Sequence, residues 1–316
     1  MMRFTATILF FVMILIQPVA ASEDAGLESP FSLGAGARAL GMGSAYTAIT
    51  NDPSTIYYNP AGLALLEYQK FSGMHATLFE GTKYDFVGWA YPTSPDDGIG
   101  VAIMRIGTGD IVRQSDWQAV GTFDYSSTQV LLSYGRAFGP GLSAGLSVKA
   151  LNQSLSGYSD WAVGADAGMV VGLTSRLDLA VAVRDIIEPT LKLKSSKEEI
   201  PRSFAAGLAL SDIQLFSNIA LNTAVDLVKQ ADRKLQAHAG AEFLFAEVAA
   251  IRSGFDKDNF AFGAGVKIKA IQIDYAYRLM DYVDDSHRFS VTFSLGQGRG
   301  ERFSGEQRIP PVVPLS

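Results

Sequence analysis

Three short patterns in the chain have the residue types and spacing of chemical sites. Residues 34–39 (GAGARA) match the glycine-rich loop of dinucleotide-binding proteins, where a pyrophosphate lies against a helix N-terminus. Residues 141–145 (GLSAG) match the nucleophile elbow of hydrolases, where a sharp turn between a strand and a helix exposes the serine. Residues 256–259 (DKDN) are acidic enough to contact calcium. Each pattern needs particular neighbouring elements, and those elements decide its meaning.

The elements that these patterns require are not predicted. The residues before position 34 do not form a buried strand and the chain after them reads as β-structure, so the dinucleotide pattern lacks its βαβ unit. After Ser143 the apolar and polar residues keep alternating, so no helix follows the serine. The acidic residues at 256–259 lack the other ligands of a calcium loop and read as a turn. We therefore predict no catalytic residue, no cofactor and no enzymatic activity.

Composition excludes further kinds of site. The chain has no cysteine, and His75, His238 and His287 lie too far apart to suggest a zinc site, so no metal is predicted. The formal net charge of −6 provides no basic surface for nucleic acid. Residues 1–22 combine Arg3, an apolar run and a small-residue end, which predicts a secretory signal peptide. An uncleaved membrane anchor is the alternative, but the apolar run is short for a spanning helix.

From residue 67 onward, apolar and polar residues alternate in one segment after another. In IQIDYAYRL (271–279) and HRFSVTFSL (287–295) the odd positions are mostly apolar and the even positions mostly polar. A period of two predicts strands with one apolar and one polar face. The polar faces provide the predicted lumen-lining residues, which are Asp178, Arg184, His238, Glu242, Asp274 and Arg278. Catalytic acid–base pairs are one explanation of these residues. Charged side chains that line a water-filled channel explain them more simply.

The number and length of the alternating segments predict the architecture. Fourteen segments are expected, at 68–80, 83–92, 98–106, 124–138, 142–153, 159–173, 176–186, 201–210, 213–227, 234–245, 247–255, 259–268, 270–280 and 286–295. Most are long enough to cross a membrane at a tilt, and an even number of long antiparallel strands is typical of outer-membrane barrels. The predicted fold class is all-β, a 14-stranded antiparallel transmembrane β-barrel over residues 67–295.

The links between these segments give an independent indication. Those after odd-numbered segments include long ones, such as 107–123 and 186–200, whereas those after even-numbered segments are mostly short turns. Long loops on one side and short turns on the other are typical of barrels with outer loops and periplasmic hairpins. A soluble β-sandwich is the alternative, but its strands are usually nearer six residues long.

Residues 36–64 (GARALGMGSAYTAITNDPSTIYYNPAGLA) resemble the N-terminal signature of the FadL-like outer-membrane proteins, and most closely that of their PorV/PorQ branch. That signature reads G-A-R-A-x-G-M-G-x-A-Y and closes on N-P-A-G-L, as residues 59–63 do here. The resemblance implies a fourteen-stranded barrel with this segment inside the lumen as a hatch. It implies transport of hydrophobic compounds for the FadL-like superfamily, and type IX protein secretion and surface attachment for the PorV/PorQ branch.

The composition of the segment at 23–66 suits a hatch. Its small residues fit a narrow lumen, and its prolines keep it from joining the sheet as an interior strand. The predicted hatch or gating residues are Arg38, Asp52, Pro53, Asn59, Pro60, Ala61 and Gly62. Arg38 and Asp52 can bind wall residues of opposite sign, and Asn59 can bond the backbone of its own turn. The sequence is compatible with two roles of the hatch: it seals the barrel, or it gates a path for a ligand.

The sequence is consistent with three functions. The first is a passive channel for hydrophobic small molecules in the bacterial outer membrane, with membrane lipid and a hydrophobic ligand as partners. The second is a component of type IX secretion that binds secretion-system proteins. The third is a soluble periplasmic β-sandwich enzyme. Residues 296–316 are rich in proline, glycine and charge, which predicts a disordered periplasmic tail.

Overall fold

The computed structural model describes residues 29–302, except for residues 116, 140, 195, 232, 258 and 280–285. The predicted signal peptide at 1–22 therefore lies outside the described residues, as do the start of the predicted hatch, the link at 280–285 and the tail from residue 303 onward.

Among the described residues, fourteen antiparallel strands close into one barrel, which confirms the predicted fold class. The strands are β1 (Gln69–Thr77), β2 (Lys83–Pro92), β3 (Asp97–Ser115), β4 (Gln118–Ala137), β5 (Leu142–Leu155), β6 (Tyr158–Gly172), β7 (Leu177–Ile187), β10 (Ser203–Phe216), β11 (Ile219–Gln230), β12 (Gln236–Phe245), β13 (Ala249–Asp256), β14 (Asn259–Ile268), β15 (Ile271–Arg278) and β16 (Ser286–Leu295). Two further strands, β8 (Thr190–Leu193) and β9 (Ser196–Glu199), form a separate hairpin. The barrel closes where β1 pairs with β16.

The sheet has its apolar face outside and its polar face inside, which is the reverse of a soluble protein. Large apolar side chains point outward, for example Leu146 and Phe289, which are 64% and 55% exposed. The inward face buries charged side chains, which include Lys149, Asp166, Asp226, Glu242, Arg252, Asp274 and Arg288. A soluble β-sandwich would bury its apolar faces against each other. The alternative of a β-sandwich fold is therefore wrong, because the sheet closes on itself and its apolar face lies outside.

The two ends of the barrel differ less in loop length than predicted. We call the end with the links after β1, β3, β5 and β7 the loop end, and the opposite end the turn end. Residues 107–123, predicted as a long loop, instead extend β3 and β4 into a hairpin at the loop end. Both faces of this extension are exposed, so it lacks the alternation that marks the other strands. The β8–β9 hairpin occupies the link after β7.

The predicted position of one turn is also wrong. Residues 211–212 were expected to separate two strands, but β10 continues to Phe216 and the turn lies at 217–218. The reason is a bulge, since the register shifts between Leu210 and Ile213 and Asp212 has a φ of 56°. The Asp212 backbone N–H donates to the Asn222 side chain at 2.8 Å, which stabilises the bulge within the sheet.

The described residues before the first strand, 29–66, form what we call the plug segment. It contains helix α1 (Ala37–Gly41), helix α2 (Thr55–Tyr58) and a 3₁₀ helix at Pro60–Leu65. Helix α1 contacts β13, β14, β15 and β16, and the 3₁₀ helix contacts β2 to β6. A segment whose two ends touch opposite sides of a closed sheet lies inside it. No helix among the described residues is long and apolar enough to cross a bilayer.

The chain folds back across the turn end after β16. Residues Arg299–Arg302 form a short helix, α3, where an irregular tail was expected from residue 296 onward. The Arg299 backbone N–H donates to the Glu67 carbonyl at 2.6 Å, and its guanidinium donates to the Ala64 carbonyl. The start of the tail is therefore bound to the end of the plug segment rather than disordered.

Candidate functional site: the plugged interior of the barrel

The 3₁₀ helix of the plug segment lies on glycines of the barrel wall. A Cβ atom added at Gly145 would lie 2.4 Å from the backbone of Pro60 and Ala61, and one at Gly135 would lie 2.7 Å from the Pro60 carbonyl oxygen. Gly98 meets the backbone of Leu63 in the same way, at 2.1 Å. Because only glycine leaves this space, the wall residues of β3, β4 and β5 hold the plug backbone directly against the sheet.

A second set of glycines holds the turn after α1. A Cβ atom at Gly254 would lie 2.1 Å from the Gly43 nitrogen, and one at Gly240 would lie 2.3 Å from the Met42 carbonyl oxygen. Gly43 itself has a φ of 63° and lies against the backbone of Phe255. The plug is thus in backbone contact with two opposite sides of the wall.

Asn59 organises the turn between these contacts, as the sequence predicted. Its side-chain oxygen accepts the Ala61 backbone N–H at 3.1 Å and caps the 3₁₀ helix. Its amide donates to the Thr47 carbonyl at 3.0 Å and to the Met169 carbonyl of β6 at 3.3 Å. Asn59 therefore joins two parts of the plug to the wall, and Pro60 begins the helix, where its missing N–H costs nothing.

Arg38 is the main ionic contact between plug and wall. Its Nε and Nη2 atoms donate to the two carboxylate oxygens of Glu242 at 2.8 and 2.7 Å, a bidentate pair. Burial alone would lower the pKa of the Arg38 guanidinium, but Glu242, Tyr46 and Asp52 together outweigh it, and the pKa lies above its usual value. Glu242 also accepts from Arg252 at 2.7 Å, and Arg252 lies 2.8 Å from Asp274. Two of the predicted lumen residues thus belong to one plug-anchoring network.

Asp52 is bonded inside the plug segment, whereas we expected it to bind a wall cation. It accepts the Tyr46 hydroxyl and the Ser54 backbone N–H, the latter at 2.8 Å, and lies 3.6 Å from Arg38. Asp52 therefore holds the plug in shape and orients Arg38 toward the wall. Pro53 packs against the wall at Gly88.

Gly62 is required for packing within the plug itself. A Cβ atom at this position would lie 2.1 Å from the Thr55 hydroxyl oxygen and 2.7 Å from Thr50. The 3₁₀ helix therefore packs closely against α2 and the residues before it.

A second group of charges lies on β5, β6 and β7 at the loop end. Lys149 lies 2.6 Å from Asp166 and 2.7 Å from Asp185. Asp185 points inward because of a bulge, since it has a φ of 58° and the β6–β7 register shifts beside it. The predicted lumen residue Arg184 lies over the Tyr57 ring, 5.2 Å from its centroid, which is a cation–π distance.

The remaining predicted lumen residues occupy two places. His238 and Arg278 are buried and both contact Asp256, at 3.1 and 2.9 Å, and His238 also lies 3.0 Å from the Gly43 carbonyl oxygen. Asp178 is half-buried and lies at the start of β7, away from these groups. Five of the six predicted lumen residues therefore lie beside the plug, and Asp178 does not.

The inward faces of β2 to β5 carry a group of buried apolar side chains. These residues, which we call the apolar strip, are Tyr84, Phe86, Met104, Ile106, Leu131 and Leu151. Polar residues share the inward faces of β4 and β5 with them, among them Gln129 and Lys149. They join the plug residues Phe31, Ile56 and Leu63 in one buried cluster. Leu191 and Ile200, in and beside the β8–β9 hairpin, pack against the same cluster at the loop end. The interior thus has an apolar cluster and charged groups, and the plug packs against both.

Cavities lie on both sides of the plug. At the loop end, a cavity of about 80 Å³ is lined by Tyr57, Tyr58, Lys149 and Asp226, among others. Burial raises the pKa of the Tyr58 phenol, which stays protonated and accepts the Ala35 backbone N–H. At the turn end, a larger cavity of about 520 Å³ is lined by Arg38 and by residues of β12 to β14. The plug segment separates these two spaces.

The sequence patterns that resemble chemical sites occupy structural positions in the strands and in the plug segment. Ser143 is an inward residue of β5, buried, and the strand continues for twelve residues beyond it. Residues 34–39 form the start of the plug. Among the described residues there is no group of three or more metal-binding side chains.

Sequence reasoning missed several charged residues of the interior. Arg252 and Asp226 could have been found, because both have the inward parity of their strands. Asp226 accepts the backbone N–H groups of Tyr46 and Thr47, each at 2.8 Å. Asp185 could not have been found by parity, because only the bulge turns it inward.

Comparison with known protein sequences gives one partial match. The model of an uncharacterised protein family, UPF0164, matches residues 25–149, which include the plug segment and the first four strands. No curated protein sequence matches the chain.

Several solved barrels have the same fold. TbuX, a toluene transporter of Ralstonia pickettii, is 15% identical, with 84% of this chain and 100% of TbuX covered and a TM-score of 0.63. CymD, a monoaromatic hydrocarbon channel, is 12% identical, with 84% and 98% covered and a TM-score of 0.63. A FadL homologue of Pseudomonas aeruginosa is 11% identical, with 86% and 100% covered and a TM-score of 0.61. At these identities the common property is the fold.

Proposed function

We propose that this protein is a FadL-like passive channel for hydrophobic small molecules in the bacterial outer membrane. The observation that carries the proposal is the apolar strip, a group of buried apolar side chains inside a barrel whose other inward side chains include many charged ones. The outward apolar face suits a lipid environment. The likeness in fold to a toluene transporter and a monoaromatic hydrocarbon channel supports the class of solute.

The proposed path begins under the β8–β9 hairpin. Leu191 and Ile200 provide an apolar entrance at the loop end, and the apolar strip continues from there to Ile56 and Leu63 of the plug. The strip is filled by its own side chains, so a solute must displace them or the plug to pass. In this proposal the plug gates the path, and the bonds of Arg38 and Asn59 set the free energy needed to move it.

The polarity of the strip tests this function. Met104 and Gln129 are cross-strand neighbours on β3 and β4, and both are buried. Met104→Gln keeps the side-chain volume but adds a polar group, so we expect slower entry of the hydrophobic fluorophore N-phenyl-1-naphthylamine into a Gram-negative host that expresses the protein. The reciprocal variant Gln129→Met should keep or raise the rate.

Both variants need a folding control. A closed barrel resists SDS until it is heated, so the shift of the unboiled protein on a gel reports folding for each variant. If the folded wild-type protein does not increase uptake of the fluorophore, or if Met104→Gln leaves uptake unchanged, the hydrophobic channel is wrong.

The sequence resemblance to the PorV/PorQ branch suggests a second role, as a component of type IX secretion. That role predicts co-purification of the barrel with secreted proteins that share a C-terminal domain. Such co-purification, together with no effect on fluorophore uptake, would favour secretion over transport.

A further inference from the structure

Arg288 is a buried charge that forms no direct ion pair among the described residues, because the nearest carboxylate, Asp256, is bound by Arg278 and His238. It lies on the inward face of β16 and is 1% exposed. Its Nε and Nη1 atoms have no hydrogen-bond partner, and no ion pair of the described residues includes it. The other buried cations of the interior are paired, Arg38 and Arg252 with Glu242 and Lys149 with Asp166.

Two further unpaired donors lie beside Arg288. Ser286 is the preceding inward residue of β16, and its buried hydroxyl has no partner. Arg278 lies directly across from Ser286 on β15, and its Nε atom is also unpartnered although its Nη1 atom binds Asp256. Donors of two guanidinium groups and one hydroxyl are thus collected in one part of the wall.

The cross-strand neighbours of Arg288 are small and apolar. Its cross-strand partners are Ala76 on β1 and Ala276 on β15, both buried. Neither neighbour therefore offers a polar group to the Arg288 guanidinium.

Physical chemistry requires a partner for this charge. A guanidinium stays protonated under nearly all conditions, so Arg288 cannot lose its charge as a buried lysine can. An ion that is buried without a partner costs several kcal/mol of folding free energy. We propose that Arg288, Arg278 and Ser286 bind one small inorganic anion, such as chloride, inside the barrel.

The anion would lie next to the attachment of the plug. Ser290 is the following inward residue of β16, and its hydroxyl accepts the Ala37 backbone N–H at the start of α1, at 2.7 Å. Tyr84, across β1 from Arg288, donates its hydroxyl to the Gly34 carbonyl at 2.7 Å. An anion at Arg288 therefore stabilises the part of the wall that holds the first turn of the plug.

The experiment compares anions at constant ionic strength. The purified full-length barrel in detergent is exchanged into sodium gluconate, whose anion is much larger than chloride, and sodium chloride then replaces the gluconate stepwise. We expect the midpoint temperature of the heat-induced gel shift to rise with chloride and then saturate. Arg288→Met should remove this response and should be at least as stable as the wild type in gluconate, because its neutral side chain needs no partner.

Further variants and a direct probe make the outcome decisive. Arg105→Met changes an exposed, outward arginine and should keep the full chloride response. Ser286→Ala should move the response to higher chloride concentration. Bromide soaked into crystals should give an anomalous peak at the Arg288 guanidinium. The site is disproved if the wild type shows no chloride response, if Arg288→Met keeps it, or if bromide is absent from this position.

Discussion

At the scale of single residues, glycines of the wall and a few charges hold the plug in place. The glycines matter by position, since only those opposite the plug backbone leave the space that it occupies. The charges matter as a network, since Glu242 is shared by Arg38 and Arg252.

A glycine substitution tests whether the plug backbone lies directly on the wall at Gly254, apart from any effect of the substitution on the strand. In Gly254→Ala the added methyl group would meet the Gly43 nitrogen at 2.1 Å, so we expect a loss of about 1–3 kcal/mol in the free energy of unfolding. Gly73→Ala is the control, because a Cβ atom there has nothing within 4 Å. Urea unfolding of the barrel in lipid vesicles measures both. Equal losses in the two variants would show that the plug does not lie on Gly254.

A charge substitution tests the network. Glu242→Gln leaves Arg38 and Arg252 buried with a weaker partner, so the free energy of unfolding should fall by about 3 kcal/mol. Glu247→Gln, in the exposed turn that follows β12, should change it by less than about 0.5 kcal/mol. The same unfolding assay applies. A loss in Glu242→Gln no larger than that in Glu247→Gln would contradict the network.

Residue parity predicted much of this interior. His238, Glu242, Asp274 and Arg278 were placed inward from alternation alone, because strands keep a strict period of two. Their partners could not be predicted, because which charges meet depends on the curvature of the closed sheet and on the plug. Asp185 breaks the parity through a bulge that alternation does not encode.

At the scale of elements, strands were predictable and connections were less so. The predicted segments at 83–92, 259–268 and 286–295 match β2, β14 and β16 at both ends. The β3–β4 extension was missed because solvent surrounds both of its faces, and alternation arises only where one face is buried. Helix α3 was missed because its order depends on tertiary contacts that a composition of glycine and charge does not reveal.

Helix α3 acts as a clamp on the end of the plug. The Arg299 guanidinium donates to the Ala64 carbonyl and, at 3.1 Å, to the Asp97 carbonyl of β3. Arg299→Ala should therefore speed exchange of the backbone amide hydrogens at 62–66 by roughly tenfold, since one to two hydrogen bonds are lost. Arg176→Ala, at an exposed turn on the same end, is the control. Hydrogen exchange measured by mass spectrometry compares the two variants. Unchanged exchange at 62–66 in Arg299→Ala would exclude the clamp.

At the scale of the whole molecule, a closed barrel with charged and apolar groups on its inner face holds a plug between two cavities. The resemblance in the sequence to FadL-like proteins led to the same architecture, because the plug signature and the strand count both lie in the sequence. Whether the plug moves was not predictable, since motion depends on the balance of many contacts that no single pattern records.

The most direct test is therefore to lock the plug to the wall. A Cβ atom at Gly207 would lie 3.1 Å from the Thr47 Cβ, slightly less than the spacing of about 3.5–4.5 Å in a disulfide. It would also lie 2.2 Å from Asp226 Oδ1, so the Asp226 side chain must rotate when Gly207 is replaced. The natural chain contains no cysteine that could compete. In cells that express Thr47→Cys/Gly207→Cys, oxidation should reduce uptake of N-phenyl-1-naphthylamine to the level of the empty host, and reduction should restore it. Uptake that is the same in the oxidised and reduced states would contradict a channel gated by its plug.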